Sequence, residues 1–201
     1  MNTKKPLEEF ISNIKECLES EDYEKATKIL LDALDVYPNQ PSLLINLGNI
    51  YKYLGSYGQA ENYYKKSLEI ENLKEANNNL SVIYLEKNSI DESISFAKKA
   101  LELDPYYIDA YFNLSLAYEK SGDYENTKEI LKKILQIHND YPNALILLYR
   151  IYQNTCDWEK MKSIENKINE ITEMGIEHPF MNISRSENIE MNYKVATSWA
   201  K

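Results

Sequence analysis

Tyr51, Tyr84, Tyr118 and Tyr152 recur at intervals of 33 or 34 residues, and much of the chain recurs with them. This period constrains the fold more than any other feature. A unit of that length, carrying two helical patterns, cannot bury its own apolar faces and must lean on its neighbours. The sequence therefore predicts a stacked array, whose long inner surface suits binding rather than chemistry.

Taking Pro41 as the first residue of a unit, the other units begin at Leu7, Lys74, Ile108 and Pro142. The seventh residue is Leu47, Leu80, Leu114 and Leu148, with Asn13 the exception in the first unit. The eighth is small in the middle units (Gly48, Ser81, Ser115) and bulky at the ends (Ile14, Tyr149). The twentieth is Ala26, Ala60, Ser93, Thr127 and Met161. Small residues at positions 8 and 20 predict a close approach of two helix backbones, with larger residues at 11, 17 and 24 filling the space around it.

Apolar residues at positions 4, 7 and 11 form one stripe, and those at 20, 24, 27, 28 and 30 form another, both near the helical period. Turn signals such as Gly55-Ser56-Tyr57 and Ser121-Gly122-Asp123 separate the two helices. Pro38 and Pro105 close two units, because proline cannot continue a helix.

With these residues in place, the chain resembles a tetratricopeptide repeat protein. Asn46-Leu47-Gly48-Asn49-Ile50-Tyr51, followed by Gly55, Tyr57, Ala60, Tyr64 and Leu68, is similar to that family's pattern. The stretch from Tyr111 to Pro142 resembles it well, and that from Lys74 to Pro105 departs mainly at Asn77 and Ser93. The resemblance implies an all-α fold: a right-handed α-solenoid of about five helix-turn-helix units plus a C-terminal capping helix. The expected organisation is an N-terminal segment over 1–6, the array over 7–175, a linker over 176–186 and a final helix over 187–201. The degenerate first and last units suit caps.

The formal net charge is −9 and the isoelectric point about 4.9. Nucleic-acid binding needs clustered Lys and Arg, and no basic stripe is present, so no nucleic acid is expected as a partner. The acidic balance suits solubility, or a partner with basic character. After Met1 there is no apolar stretch resembling a signal peptide, and the longest apolar run, Ala144 to Tyr149, is too short to span a bilayer. A cytoplasmic location without membrane attachment is the expectation. Cys17 and Cys156 fall in the first and last units and read as buried, reduced thiols rather than a disulfide.

None of the five glycines forms a phosphate-cradling loop or dinucleotide fingerprint. His138 and His178 lack a neighbouring Cys or a His at metal spacing, and neither cysteine has a nearby His to activate it. The sequence thus predicts no catalytic residues, no metal and no cofactor.

The repeat resemblance implies that the first helix of each unit lines the concave face. Position 6 there is Asn46, Asn79 and Asn113. An asparagine offers both a donor and an acceptor and can pair with a peptide amide. Inner helices about 10 Å apart would meet an extended peptide, rising about 3.3 Å per residue, at roughly every third residue. A similar asparagine ladder occurs in the repeat arrays of O-linked N-acetylglucosamine transferases. Asn49, Val82, Leu116 and Arg150 at position 9, with Phe112 at position 5, complete the expected binding face. Phe112, Leu116 and Val82 read equally as an apolar pocket or as packing between helices. The chaperone-tail clamp of some relatives needs basic residues where Ile45, Asp109 and Asn113 stand, so no such clamp is expected.

Beyond Gly175, Ser184-Arg185-Ser186-Glu187 reads as a capping box before an amphipathic helix carrying Ile189, Tyr193, Ala196 and Trp199 or Ala200 on one face. The stretch from His178-Pro179-Phe180 to Trp199-Ala200 resembles the junction between repeats and catalytic half in bacterial SPINDLY-type glycosyltransferases. The leading expectation is a monomeric, non-catalytic scaffold binding another protein or an extended peptide in its groove. The alternatives are a substrate-recruiting accessory of such a glycosyltransferase and a self-assembling module.

Overall fold

The computed structural model describes residues 6–173. The linker and final helix expected beyond Gly175 lie outside the described residues. Among those described there are ten helices and no strand: α1 (Leu7–Glu19), α2 (Tyr23–Val36), α3 (Pro41–Tyr53), α4 (Tyr57–Ile70), α5 (Lys74–Glu86), α6 (Ile90–Leu103), α7 (Ile108–Lys120), α8 (Tyr124–Ile137), α9 (Pro142–Asn154) and α10 (Trp158–Glu173). The class is the all-α, helix-turn-helix class of the α-solenoids. The chain forms two compact units that divide between Ala117 and Tyr118, within α7.

Local chemistry sets the helix ends. Pro41 and Pro142 occupy first-turn positions, where a missing N–H costs nothing. Asp22 and Asp123 cap α2 and α8 by accepting from the Lys25 and Asn126 amides at 3.0 and 3.1 Å. Between the two helices of every repeat, one residue turns into the left-handed region: Glu21 (φ 57°), Gly55 (71°), Asn88 (61°), Gly122 (79°) and Cys156 (54°). The amide after it then folds back onto a carbonyl five residues earlier, as Ser56 does onto Tyr51 and Asp157 onto Tyr152, at 2.8 and 2.9 Å. This geometry carries Cys156 into the turn, where it is exposed, so the expectation of two buried thiols holds for Cys17 alone.

In the first unit the hairpins α1–α2, α3–α4 and α5–α6 stack side by side, with α2 on α3 and α4 on α5. Leu47 and Leu80 at position 7 are completely buried, each contributing about 1.5–3 kcal/mol of transfer free energy. The recurring tyrosines stack on a ring in the partner helix. Tyr51 lies parallel to Tyr63 at 5.4 Å between centroids, and Tyr84 to Phe96 at 5.3 Å. Ser93 Oγ donates to the Ser81 carbonyl at 2.8 Å, which requires α5 and α6 to approach closely. Gly48 at position 8 meets Tyr64 at position 24.

The second unit has its own core. Leu145, Tyr149 and Ile168 are buried together, with Leu135, Ile146, Met161 and Ile164 packed around them. Here α9 and α10 form the hairpin.

Candidate functional site

The inner helices of the first unit lie next to one another, α3 touching α5 directly. Position 6 of α3 and of α5 therefore stands beside neighbouring side chains as well as the open face. Asn79 Nδ2 donates to Asn49 Oδ1 at 3.0 Å, and Asn79 Oδ1 accepts from Lys52 Nζ at 2.8 Å. Asn49 Oδ1 also accepts from Tyr64 Oη at 2.8 Å. One repeat further on, Asn113 Nδ2 donates to Asn78 Oδ1 at 2.8 Å. The carboxamides at positions 6 and 9 thus bridge α3 to α5, and those at positions 5 and 6 bridge α5 to α7.

Asn46, the third asparagine at position 6, lines an open cleft of about 240 Å³ with Leu18, Tyr23, Asn49, Ile50 and Tyr53. Leu18 comes from α1 and Tyr23 from the start of α2; the others lie on α3. The Tyr23 and Tyr53 rings sit 4.6 Å apart at 33°. A hydrogen bond with the Tyr53 phenol, then desolvation, pushes Tyr23 up to about 12. Tyr53 is 65% exposed, so its ring is open to a ligand on one side of the cleft.

Two further groups shape this face electrostatically. Burial lowers the Lys52 ammonium from its ordinary value. Burial likewise raises the Tyr64 phenol, whose proton is held by Asn49.

Val82, Phe112 and Leu116 are half-buried on α5 and α7. Arg150 belongs to the second unit, where Nη2 donates to Glu119 Oε1 at 2.5 Å. Its Nε is buried without a hydrogen-bond partner among the described residues.

The sequence reading missed Lys52, Tyr53, Tyr64, Leu18 and Tyr23 as members of this face. They occupy positions 12, 13, 24, 12 and 17, which pair across helices through packing that spacing alone does not reveal. A signal for Lys52 was nonetheless present, since α3 holds one cation and no acid.

Among the described residues, no helix is long and apolar enough to cross a membrane, and no group of three or more His, Cys, Asp or Glu side chains is placed to hold a metal ion.

Three family models described as tetratricopeptide repeats match the chain, over residues 41–71, 74–107 and 96–129. No curated protein matches it. Among solved structures it is similar to PilW, described as a widely conserved type IV pilus biogenesis factor. That match has 22% identity, covers 99% of this chain and 94% of the other, and has a TM-score of 0.77. It is also similar to MamA from Desulfovibrio magneticus RS-1 (18% identity, 90% and 97% covered, TM-score 0.70). A third is YrrB, described as a TPR protein with an unusual peptide-binding site (13% identity, 94% and 90% covered, TM-score 0.65). At these identities the likeness concerns the fold. The stretch from His178 to Ala200, expected to resemble a glycosyltransferase junction, lies outside the described residues; the matched repeats end before it, and no match supports that expectation. Residues 41–129 are a run of tetratricopeptide repeats, and by those repeats and its fold the chain is a tetratricopeptide-repeat protein.

Proposed function

We propose that this protein is a non-catalytic scaffold that holds an extended segment of another protein against the first helices of its repeats. Asn46, Asn49, Asn79 and Asn113 engage the backbone of that segment. Val82, Phe112 and Leu116 contact its side chains, and Arg150 serves the second unit. The observation that carries this reading is the row of carboxamides on successive inner helices, braced by the Asn79–Asn49 and Asn113–Asn78 hydrogen bonds. A carboxamide has two N–H donors and two lone pairs, so each braced asparagine keeps capacity for a peptide amide. Bracing also fixes the side chains beforehand, which lowers the ordering cost of binding. The peptide-binding description of YrrB, a relative in fold, is consistent with the same use of the repeats.

The test is capture of partners from the native lysate by the full chain and by a variant with Asn46, Asn79 and Asn113 all replaced by alanine. Partners retained by the native chain and lost by the variant, at equal helicity by circular dichroism, support the proposal. Identical capture by both proteins overturns it.

A further inference from the structure

Helix α3 differs from its neighbours in charge. In a chain of net charge −9, it contains no Asp or Glu and a single cation, Lys52. Three other cations of the first unit find carboxylates: Lys65 and Lys87 both reach Glu61, and Lys74 reaches Asp104. Lys52 instead donates to a neutral oxygen, Asn79 Oδ1. A half-buried ammonium whose one acceptor among the described residues is neutral is incompletely compensated for the water it has lost.

This charge stands close to the cleft. Asn79 connects Lys52 to Asn49 through hydrogen bonds of 2.8 and 3.0 Å, and Asn49 is part of the cleft wall. The ammonium is therefore at most roughly 8 Å from Asn49 Oδ1, the span of about two residues of extended chain. The cleft itself, at about 240 Å³, lies below the range of about 300–1,000 Å³ usual for small-molecule sites. Its volume suits one large side chain, and Leu18, Tyr23 and Tyr53 give it apolar walls.

We infer that the cleft and Lys52 form a subsite for an internal apolar-acidic stretch of the bound segment. An aromatic or branched aliphatic side chain sits against Leu18, Tyr23 and Tyr53. An Asp or Glu carboxylate about two residues away meets Lys52. This rests on the extended-segment reading and adds the chemistry of the segment. The overall acidity of the chain suits a basic partner, but charges beyond about 8–10 Å are screened at physiological salt, so Lys52 decides the local preference. A charge-assisted hydrogen bond to a partly desolvated ammonium is also the stronger kind.

The experiment titrates the ¹⁵N-labelled full chain with two end-capped peptides, acetyl-Gly-Phe-Ser-Glu-Ser-Gly-amide and its Gln counterpart. The caps remove both terminal charges, so only the side-chain carboxylate differs. The expected result is amide shifts centred on Asn46–Tyr53 and binding of the Glu peptide about tenfold tighter than the Gln peptide. In Lys52→Met that preference disappears, and in Lys52→Glu a Lys-containing peptide becomes the preferred one. Equal binding of the Glu and Gln peptides to the native chain overturns the carboxylate subsite and leaves the extended-segment reading standing. Absence of shifts on every inner helix with both peptides overturns the two together. A concentration-dependent mass in light scattering that Tyr53→Ser abolishes would place a second copy in the cleft and likewise overturn the inference.

Discussion

Gly48 lies directly against the ring of Tyr64: a Cβ built on it would stand 2.4 Å from Tyr64 Cε1. Tyr64 is completely buried and its hydroxyl holds Asn49, so the ring cannot step aside without disturbing the inner face. Gly48→Ala should therefore destabilise the first unit by about 1–3 kcal/mol, the usual cost of overpacking. Urea denaturation followed by circular dichroism measures this. Ser81→Ala, at the same position one repeat later, adds no atom and removes only the hydroxyl that donates to the Asn78 carbonyl at 2.7 Å, so it should cost about 1 kcal/mol.

Tyr64→Phe removes a single hydroxyl and leaves the ring. The lost hydrogen bond to Asn49 Oδ1 should lower stability by about 1 kcal/mol, since Asn49 keeps its bond from Asn79. The same variant should loosen the Asn49 carboxamide, readable as faster exchange or broadening of its side-chain NH₂ resonances. Unchanged Asn49 resonances would mean that the hydroxyl does not position it.

Three turns place a residue with a Cβ in the left-handed region, where Gly55 and Gly122 do the same without strain. Glu21→Gly and Cys156→Gly should each stabilise the protein by about 0.5–1 kcal/mol, less than the full left-handed penalty because glycine also loosens the unfolded chain. Asn88→Gly should gain less, asparagine being tolerant of this conformation. Thermal unfolding of the three single variants ranks them.

Glu61 gives a pH dependence with a defined sign. Burial pushes its carboxyl up, but hydrogen bonds from Lys65, Lys87 and Tyr84 outweigh this and hold it at about 2, from 4.5. A depressed carboxyl contributes stability above its unfolded value, and that contribution is lost as pH falls toward the folded one. The urea midpoint of the native chain should thus fall between about pH 4.5 and 2 more steeply than that of Glu61→Gln. Parallel profiles would contradict the role given to the Lys65–Glu61–Lys87 cluster.

The hairpin repeat was readable because its signals are periodic. Leu47, Leu80 and the recurring tyrosines return at one spacing, and the residues buried by a stacked hairpin must do so. What spacing could not show is which side chain meets which. Position 6 reads as an outward carboxamide, yet Asn79 and Asn113 are each hydrogen-bonded to a carboxamide of the preceding inner helix. Tyr64 read as one of the family's large residues, and its contacts with Gly48 and Asn49 emerge only from the crossing of α3 and α4. Cys156 read as a buried thiol like Cys17, whereas its backbone belongs to the exposed turn.

The central claim is that partners bind on the inner helices, and site-specific photo-cross-linking tests it most directly. A benzophenone amino acid is placed at Asn46 on the cleft, or at Gln59 on the exposed surface of α4, and each full-length protein is irradiated in native lysate. A cross-linked partner is expected from position 46 and none from position 59. Cross-linking from position 59 with none from position 46 would contradict it.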